Sequence, residues 1–157
     1  MYNDDRVRPI PPPFLIALVG WLVPGAGYLL LRQRARGLTI GITILVLFVL
    51  GLLIGGIRVI DVPGYDDAGA RRTVGGRWLL TAAPVAEIAN KPWYVPQVLT
   101  GPVTLLAGQF SLNAARNRID PSHARVRDIG TLYTAVAGML NLMALIDAAH
   151  RAGKERE

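Results

Sequence analysis

The chain has 157 residues, 52% of them hydrophobic and 18% charged, with no cysteine and a formal net charge of +6. That length suits one domain, and the lack of cysteine excludes disulfides, thiolate nucleophiles and cysteine metal sites. The apolar residues are gathered into long runs flanked by Lys and Arg, so the positive charge points to anionic lipid headgroups and not to nucleic acid.

Residues 1–13 combine Asp4, Asp5, Arg6 and Arg8 with Pro9, Pro11, Pro12 and Pro13, which predicts an extended polyproline-like tail. Phe14 to Leu31 is then free of charge and long enough for a first span. Pro24 removes a helical hydrogen bond there, and Gly25 and Gly27 loosen the same turn. The freed backbone groups must find partners inside protein, so this break is expected to face other helices. Arg6 and Arg8, the run Phe14–Val23 and Gly25-Ala26-Gly27 also have the layout of a secretory signal. Tyr28 to Leu31 continues the apolar run, however, and the segment is expected to be retained. Gly37 to Ile57 is a second, uninterrupted span.

Residues 58–92 read as an extramembrane loop, punctuated by Val62-Pro63-Gly64 and Gly75-Gly76. Within it, Trp78 to Ile88 is too short to cross and suits an interfacial or re-entrant segment, followed by the interface belt Lys91 to Tyr94. Trp93 to Ala115 is a weaker third span, broken by Pro96, Gly101, Pro102 and Gly108 and carrying Gln97, Gln109 and Asn113. Such a segment belongs in a bundle interior or against a partner. Asp120-Pro121 has the form of an N-cap followed by proline at the first helical position, so a helix is predicted from Pro121 to about Ala152, with Ile129–Ala149 as the fourth span. Residues 153–157 form a charged tail.

These elements predict an all-α polytopic membrane bundle of about four transmembrane helices in two hairpins, 14–57 and 93–152, plus the short interfacial segment. With four spans, the termini and the central loop share one side. The short turns bearing Arg32, Arg34 and Arg36, and Arg116, Arg118, Arg125 and Arg127, share the other, as lipid-headgroup and topology determinants.

Catalytic and cofactor chemistry finds little support. Gly25 and Gly27 lack the third glycine and the preceding strand of a dinucleotide loop. His123 and His150 are far apart, no metal-ligand spacing is present, and Ser111 and Ser122, the only serines, lie in no nucleophile context. We therefore expect no enzyme activity and no cofactor. Polar and small residues inside the spans are better pointers. Gly130, Thr134, Ala137, Gly138, Asn141 and Ala148 share one face of the last helix, where small residues allow close approach and Asn141 can hydrogen-bond across. Gly51 and Gly55 offer a second packing face. Asp147, with Arg151 four residues on, suits a helix-end ion pair.

Pro24-Gly25-Ala26-Gly27-Tyr28, then Arg32 to Arg36, then Gly37-Leu38 resemble the hairpin of small bacterial membrane proteins of the two-transmembrane-domain type. Asp128 to Ala148 resembles the last helix of an uncharacterised four-span bacterial family that carries this hairpin. The resemblance implies a membrane fold in the bacterial inner membrane and carries no activity, substrate or catalytic residues. The expected role is a non-catalytic accessory or structural subunit whose small-residue faces pack against other membrane subunits or a second copy. The alternative is a small oligomeric transporter or channel, with Asn113, Asn141 and Asp147 lining a path.

Overall fold

The computed structural model describes residues 11–154; most of the tail expected over 1–13, and residues 155–157 of the charged tail, lie outside that range. The described chain is mostly helical. Helix α1 (Pro13–Leu22) opens with proline at its first position, which lacks only an N–H that would go unused there. It stops at Val23-Pro24-Gly25, where Gly25 takes a left-handed φ of 84°. Helix α2 (Ala26–Leu30) does not continue the direction of α1. A Cβ on Gly27 would lie 3.0 Å from the Ile16 carbonyl oxygen, whereas residues eleven apart in one straight helix are separated by about 16 Å. The chain has reversed. Ile16, Tyr28 and Leu31 then bury together against Ala144, Ala148 and Ala152 of the last helix.

After a turn at Arg32, α3 (Arg34–Gly55) runs unbroken and ends at Gly56, φ 78°. A single 3₁₀ turn, Ile57–Val59, leads into a cap of irregular chain. The cap includes a two-residue hairpin, β1 (Thr73–Val74) and β2 (Arg77–Trp78), with Gly75 and Gly76 both at positive φ as its turn requires. The interfacial segment expected over Trp78–Ile88 is two short helices, α4 (Leu79–Ala82) and α5 (Pro84–Asn90), divided because Pro84 cannot continue the first.

The third apolar segment also reverses. Helix α6 (Tyr94–Val98) and helix α7 (Pro102–Arg116) are joined through Gly101, φ 108°. Lys91 donates to the Val62 carbonyl, and a Cβ on Gly108 would lie 3.1 Å from Val62 Cγ2. Residues seventeen apart on one helix would be separated by about 25 Å. Two of the four expected spans, Phe14–Leu31 and Trp93–Ala115, are therefore helical hairpins that enter and leave at the same end of the bundle.

The last helix, α8 (Ala124–Lys154), is the axis on which α1, α3 and α6 pack. It starts three residues later than the Asp120-Pro121 signal predicts. Ser122 Oγ donates to the Gly55 carbonyl at 2.5 Å and ties this segment to the end of α3, and the His123 carbonyl accepts the N–H groups of Val126 and Arg127. Helices α3 and α8 run antiparallel with their backbones nearly touching. A Cβ on Gly130 would lie 2.6 Å from the Gly51 carbonyl oxygen and 2.6 Å from Gly55 Cα.

This packing corrects the expected sidedness. The Arg36 guanidinium lies 6.0 Å from the Tyr28 ring, and Tyr28 bonds Asp147, so the first arginine turn sits at the C-terminal end of α8. The second arginine turn sits at the other end, beside the cap. Arg58 donates to the Ile119 carbonyl, Arg116 to the Gly69 carbonyl, and Arg127 pairs with Asp61 at 2.6 Å. The two turns lie about 30 Å apart, the length of α3.

Candidate functional site

The tips of the two reversing hairpins meet halfway along α8. Trp21, in the last turn of α1, donates its indole N–H to the Val98 carbonyl at 3.0 Å. Gly101 closes the contact, since a Cβ there would lie 2.2 Å from the Trp21 carbonyl oxygen. The short α6 is pressed equally hard onto α8: the position of a Cβ on Gly138 is 1.8 Å from the Pro96 carbonyl oxygen and 3.0 Å from Thr100 Oγ1.

Around this junction the polar side chains are fully buried: Gln97, Thr100 and Thr104 from the second hairpin, Thr134 and Asn141 from α8. All of them except Thr100 donate a hydrogen bond. Gln97 Nε2 donates to the Val59 carbonyl at 3.1 Å and to Thr134 Oγ1 at 2.8 Å. Thr104 Oγ1 donates to the Gln97 carbonyl at 2.6 Å, and Asn141 Nδ2 to the Leu99 carbonyl at 2.8 Å. Among the described residues, three buried side-chain oxygens have no hydrogen-bond partner: Gln97 Oε1, Thr100 Oγ1 and Asn141 Oδ1. Leaving a buried acceptor unmade costs about 1–3 kcal/mol. Buried polar atoms left in this way call for an occupant such as a water or an ion.

The residues expected to form packing faces are all engaged within the chain. Gly51, Gly55 and Gly130 make the α3–α8 contact, while Thr134, Gly138 and Asn141 receive α6. Those faces are thus not free for a partner. Asn113, Asn141 and Asp147 are not brought together: Asn113 is exposed on α7, and Asp147 lies about 9 Å further along α8 than Asn141. There Asp147 accepts from Tyr28 Oη at 2.7 Å and Arg151 Nε at 2.8 Å, the expected helix-end pair with a tyrosine added. Arg32, Arg34, Arg36, Arg118 and Arg125 are exposed, whereas Arg116 and Arg127 hold the cap to the helices.

Gln97 is buried, as a polar group in a broken span should be, but Thr100 and Thr104 went unmarked in the sequence. Their signal was the spacing Gln97-x-x-Thr100-x-x-x-Thr104 across Gly101-Pro102 inside an apolar run. The cap has a buried centre of its own. Glu87, fully buried, accepts from the Gly64 N–H at 3.1 Å and from Arg72 Nη1 at 3.0 Å. Lys91 donates to the Val62 and Tyr65 carbonyls, and burial pushes its ammonium below the usual lysine range. Among the described residues no group of three His, Asp or Glu side chains is placed to hold a metal ion.

The class so defined is a mostly helical protein in which two helices, α3 and α8, are long and apolar enough to cross a membrane. The chain belongs to a family of unknown function, DUF6677, and the match covers residues 15–156, taking in both hairpins and the cap. No curated protein and no solved structure matches it.

Proposed function

We propose that this is a multi-pass, non-catalytic integral protein of a bacterial cytoplasmic membrane, and that its working part is a transport- or channel-type core built around the polar junction. In this reading α3 and α8 cross the bilayer. The α1–α2 hairpin enters from one face and α6–α7 from the other, and each turns back near the midplane. The observation that carries it is the set of three unpartnered buried oxygens where the two broken helices meet. Non-helical backbone at membrane depth is stable only when protein or a polar cavity covers it, and discontinuous helices near the midplane recur as solute and ion sites in transporters. Exposed Arg32, Arg34 and Arg36 at one end, and Arg118 and Arg125 at the other, would meet anionic headgroups.

The test is solute and alkali-cation flux into liposomes holding the purified protein. We expect flux that Asn141→Leu abolishes, because leucine fills the junction and orphans the Leu99 carbonyl. Absence of flux from a correctly assembled oligomer would contradict the reading.

A second reading, an accessory subunit of a larger membrane complex, is supported by the outer face of α7. Gln109 and Asn113 are exposed there among Leu105, Leu106 and Phe110. Amide side chains facing lipid gain from being covered, by another subunit or by a second copy. Purification in mild detergent separates the two: a fixed heterologous companion favours the accessory role, and a homo-oligomer favours transport.

A further inference from the structure

We infer that the groove between the cap and the α6–α7 hairpin holds one anionic phospholipid, its headgroup at Arg71 and an acyl chain leading along α7. The inference rests on α3 and α8 crossing the bilayer, which sets the cap at the membrane–water boundary. It is independent of what the hairpin junction does. The groove has a volume of about 350 Å³ and is walled by Tyr65, Trp78, Leu80 and Ile88 of the cap, Tyr94 of α6 and Gln109 of α7. Apolar and aromatic walls with a few polar groups, at this size, are those of a small-molecule site. Tryptophan and tyrosine gather at the level of lipid headgroups because each joins an apolar ring to a polar N–H or O–H.

Three observations identify the occupant. First, hydrogen-bonding capacity in the groove is unused. Among the described residues, the Tyr65 and Tyr94 hydroxyls and the Gln109 amide make no hydrogen bond, while the Trp78 indole is spent on the Gly64 carbonyl at 2.9 Å. Two hydroxyls and an amide can donate to the ester and phosphate oxygens of a lipid, which accept. Second, a cation stands at the rim. The Arg71 guanidinium lies 5.4 Å from the centre of the Trp78 ring and, among the described residues, has no carboxylate partner. Its charged neighbours are engaged. Arg72 pairs with Glu87, Lys91 donates to the Val62 and Tyr65 carbonyls, and Asp66 Oδ1 accepts the Ala68 and Ala70 N–H groups. Asp67 lines a separate cleft with Arg58. A guanidinium left in this way is matched in shape and charge by a phosphate. Third, an apolar path continues from the groove toward the bilayer centre. Leu105 and Leu106 lie one turn before Gln109 on α7, nearer the hairpin tip, and both are exposed. Cation, hydrogen-bond donors and hydrocarbon thus follow one another from the cap inward, the order of headgroup, ester and acyl chain in a phospholipid.

The test is native mass spectrometry of the full-length protein, released from detergent micelles holding equal amounts of phosphatidylglycerol and phosphatidylcholine with the same acyl chains. The expected result is one retained phosphatidylglycerol per chain, preferred over phosphatidylcholine by about tenfold, the effect of one charge-assisted contact. Arg71→Gln should erase that preference, because both lipids keep their other contacts. Gln109→Leu, on an exposed helix face, should weaken the binding of both lipids by about fivefold. Arg118→Gln removes an exposed charge at the same end of the bundle but outside the groove, and should change neither. No retained lipid, retention without headgroup preference, or equal losses in Arg71→Gln and Arg118→Gln would each overturn the inference. A lipid-free dimer would also overturn it and assign the groove to a second copy of the chain. Flotation with vesicles of the same two lipids tests the membrane placement separately. Protein that stays at the bottom of the gradient would overturn that placement and this inference with it, whereas flotation without preference in the mass spectra would overturn this inference alone.

Discussion

Gly138→Ala is expected to lift the α6–α7 hairpin off α8 and to destabilise the protein by about 3 kcal/mol or more, since the added carbon would collide with main chain that cannot rotate away. The methyl would lie 1.8 Å from the Pro96 carbonyl oxygen and 2.9 Å from its carbon. Pro96 has a fixed φ and sits inside α6, so relief requires moving the whole hairpin. The sign is informative because alanine is favoured over glycine in a helix by about 1 kcal/mol. Gly153→Ala, on the same helix with nothing within 4 Å of its Cβ position, should therefore be neutral or slightly stabilising. Thermal unfolding in detergent, followed by Trp21 fluorescence, compares the two variants directly. Equal stability of Gly138→Ala and the wild type would mean that α6 does not lie against α8 at this depth.

Glu87→Ala is expected to loosen the cap while leaving the helical bundle intact. The carboxylate is fully buried and answers both the Gly64 N–H and Arg72, whose side chain is 41% exposed. Removing one partner of a buried pair typically costs 3–5 kcal/mol. About 3 kcal/mol is expected here, because the Arg72 guanidinium can turn to water. The loss should appear as local opening, with trypsin cutting at Arg71, Arg72 and Arg77 several times faster while the junction fluorescence of Trp21 is unchanged. Glu87→Gln keeps an acceptor for the Gly64 N–H and should fall between the two. Cutting no faster than in the wild type would show that the cap is held by Trp78 and Lys91 alone.

The long helices were legible from composition because a run of apolar residues without charge has few other uses. The expected span Gly37–Ile57 is α3 at Arg34–Gly55, and the expected fourth span lies within α8. The break at Pro24-Gly25 was legible too, since proline and left-handed glycine act locally. What the chain does after the break was not. Its direction is set by contacts with residues distant in sequence: Gly27 fits under the Ile16 carbonyl, and Gly41 lies where a side chain would meet the Pro24 carbonyl at 2.4 Å. A straight kinked span and a reversing hairpin share the same local signals, so the reversal could not be read from them. Asp120-Pro121 failed for a related reason. A sound local start signal gave way where Ser122 is tied to the Gly55 carbonyl, and the helix begins at Ala124. Within the junction, Asn141 was legible as an amide in an apolar run. Thr100 and Thr104 were not, because threonine in a broken helix commonly satisfies nearby backbone and needs no ligand.

The reversal of the two hairpins is tested most directly by which face of the membrane each turn occupies. The natural chain has no cysteine, so single cysteines at positions 34, 118 and 153 can be labelled with a membrane-impermeant thiol reagent in right-side-out and inverted vesicles. The reversing arrangement requires positions 34 and 153 to be labelled from the same face and position 118 from the opposite face. Labelling of 34 and 118 from one face, with 153 on the other, would mean four full crossings and would contradict it.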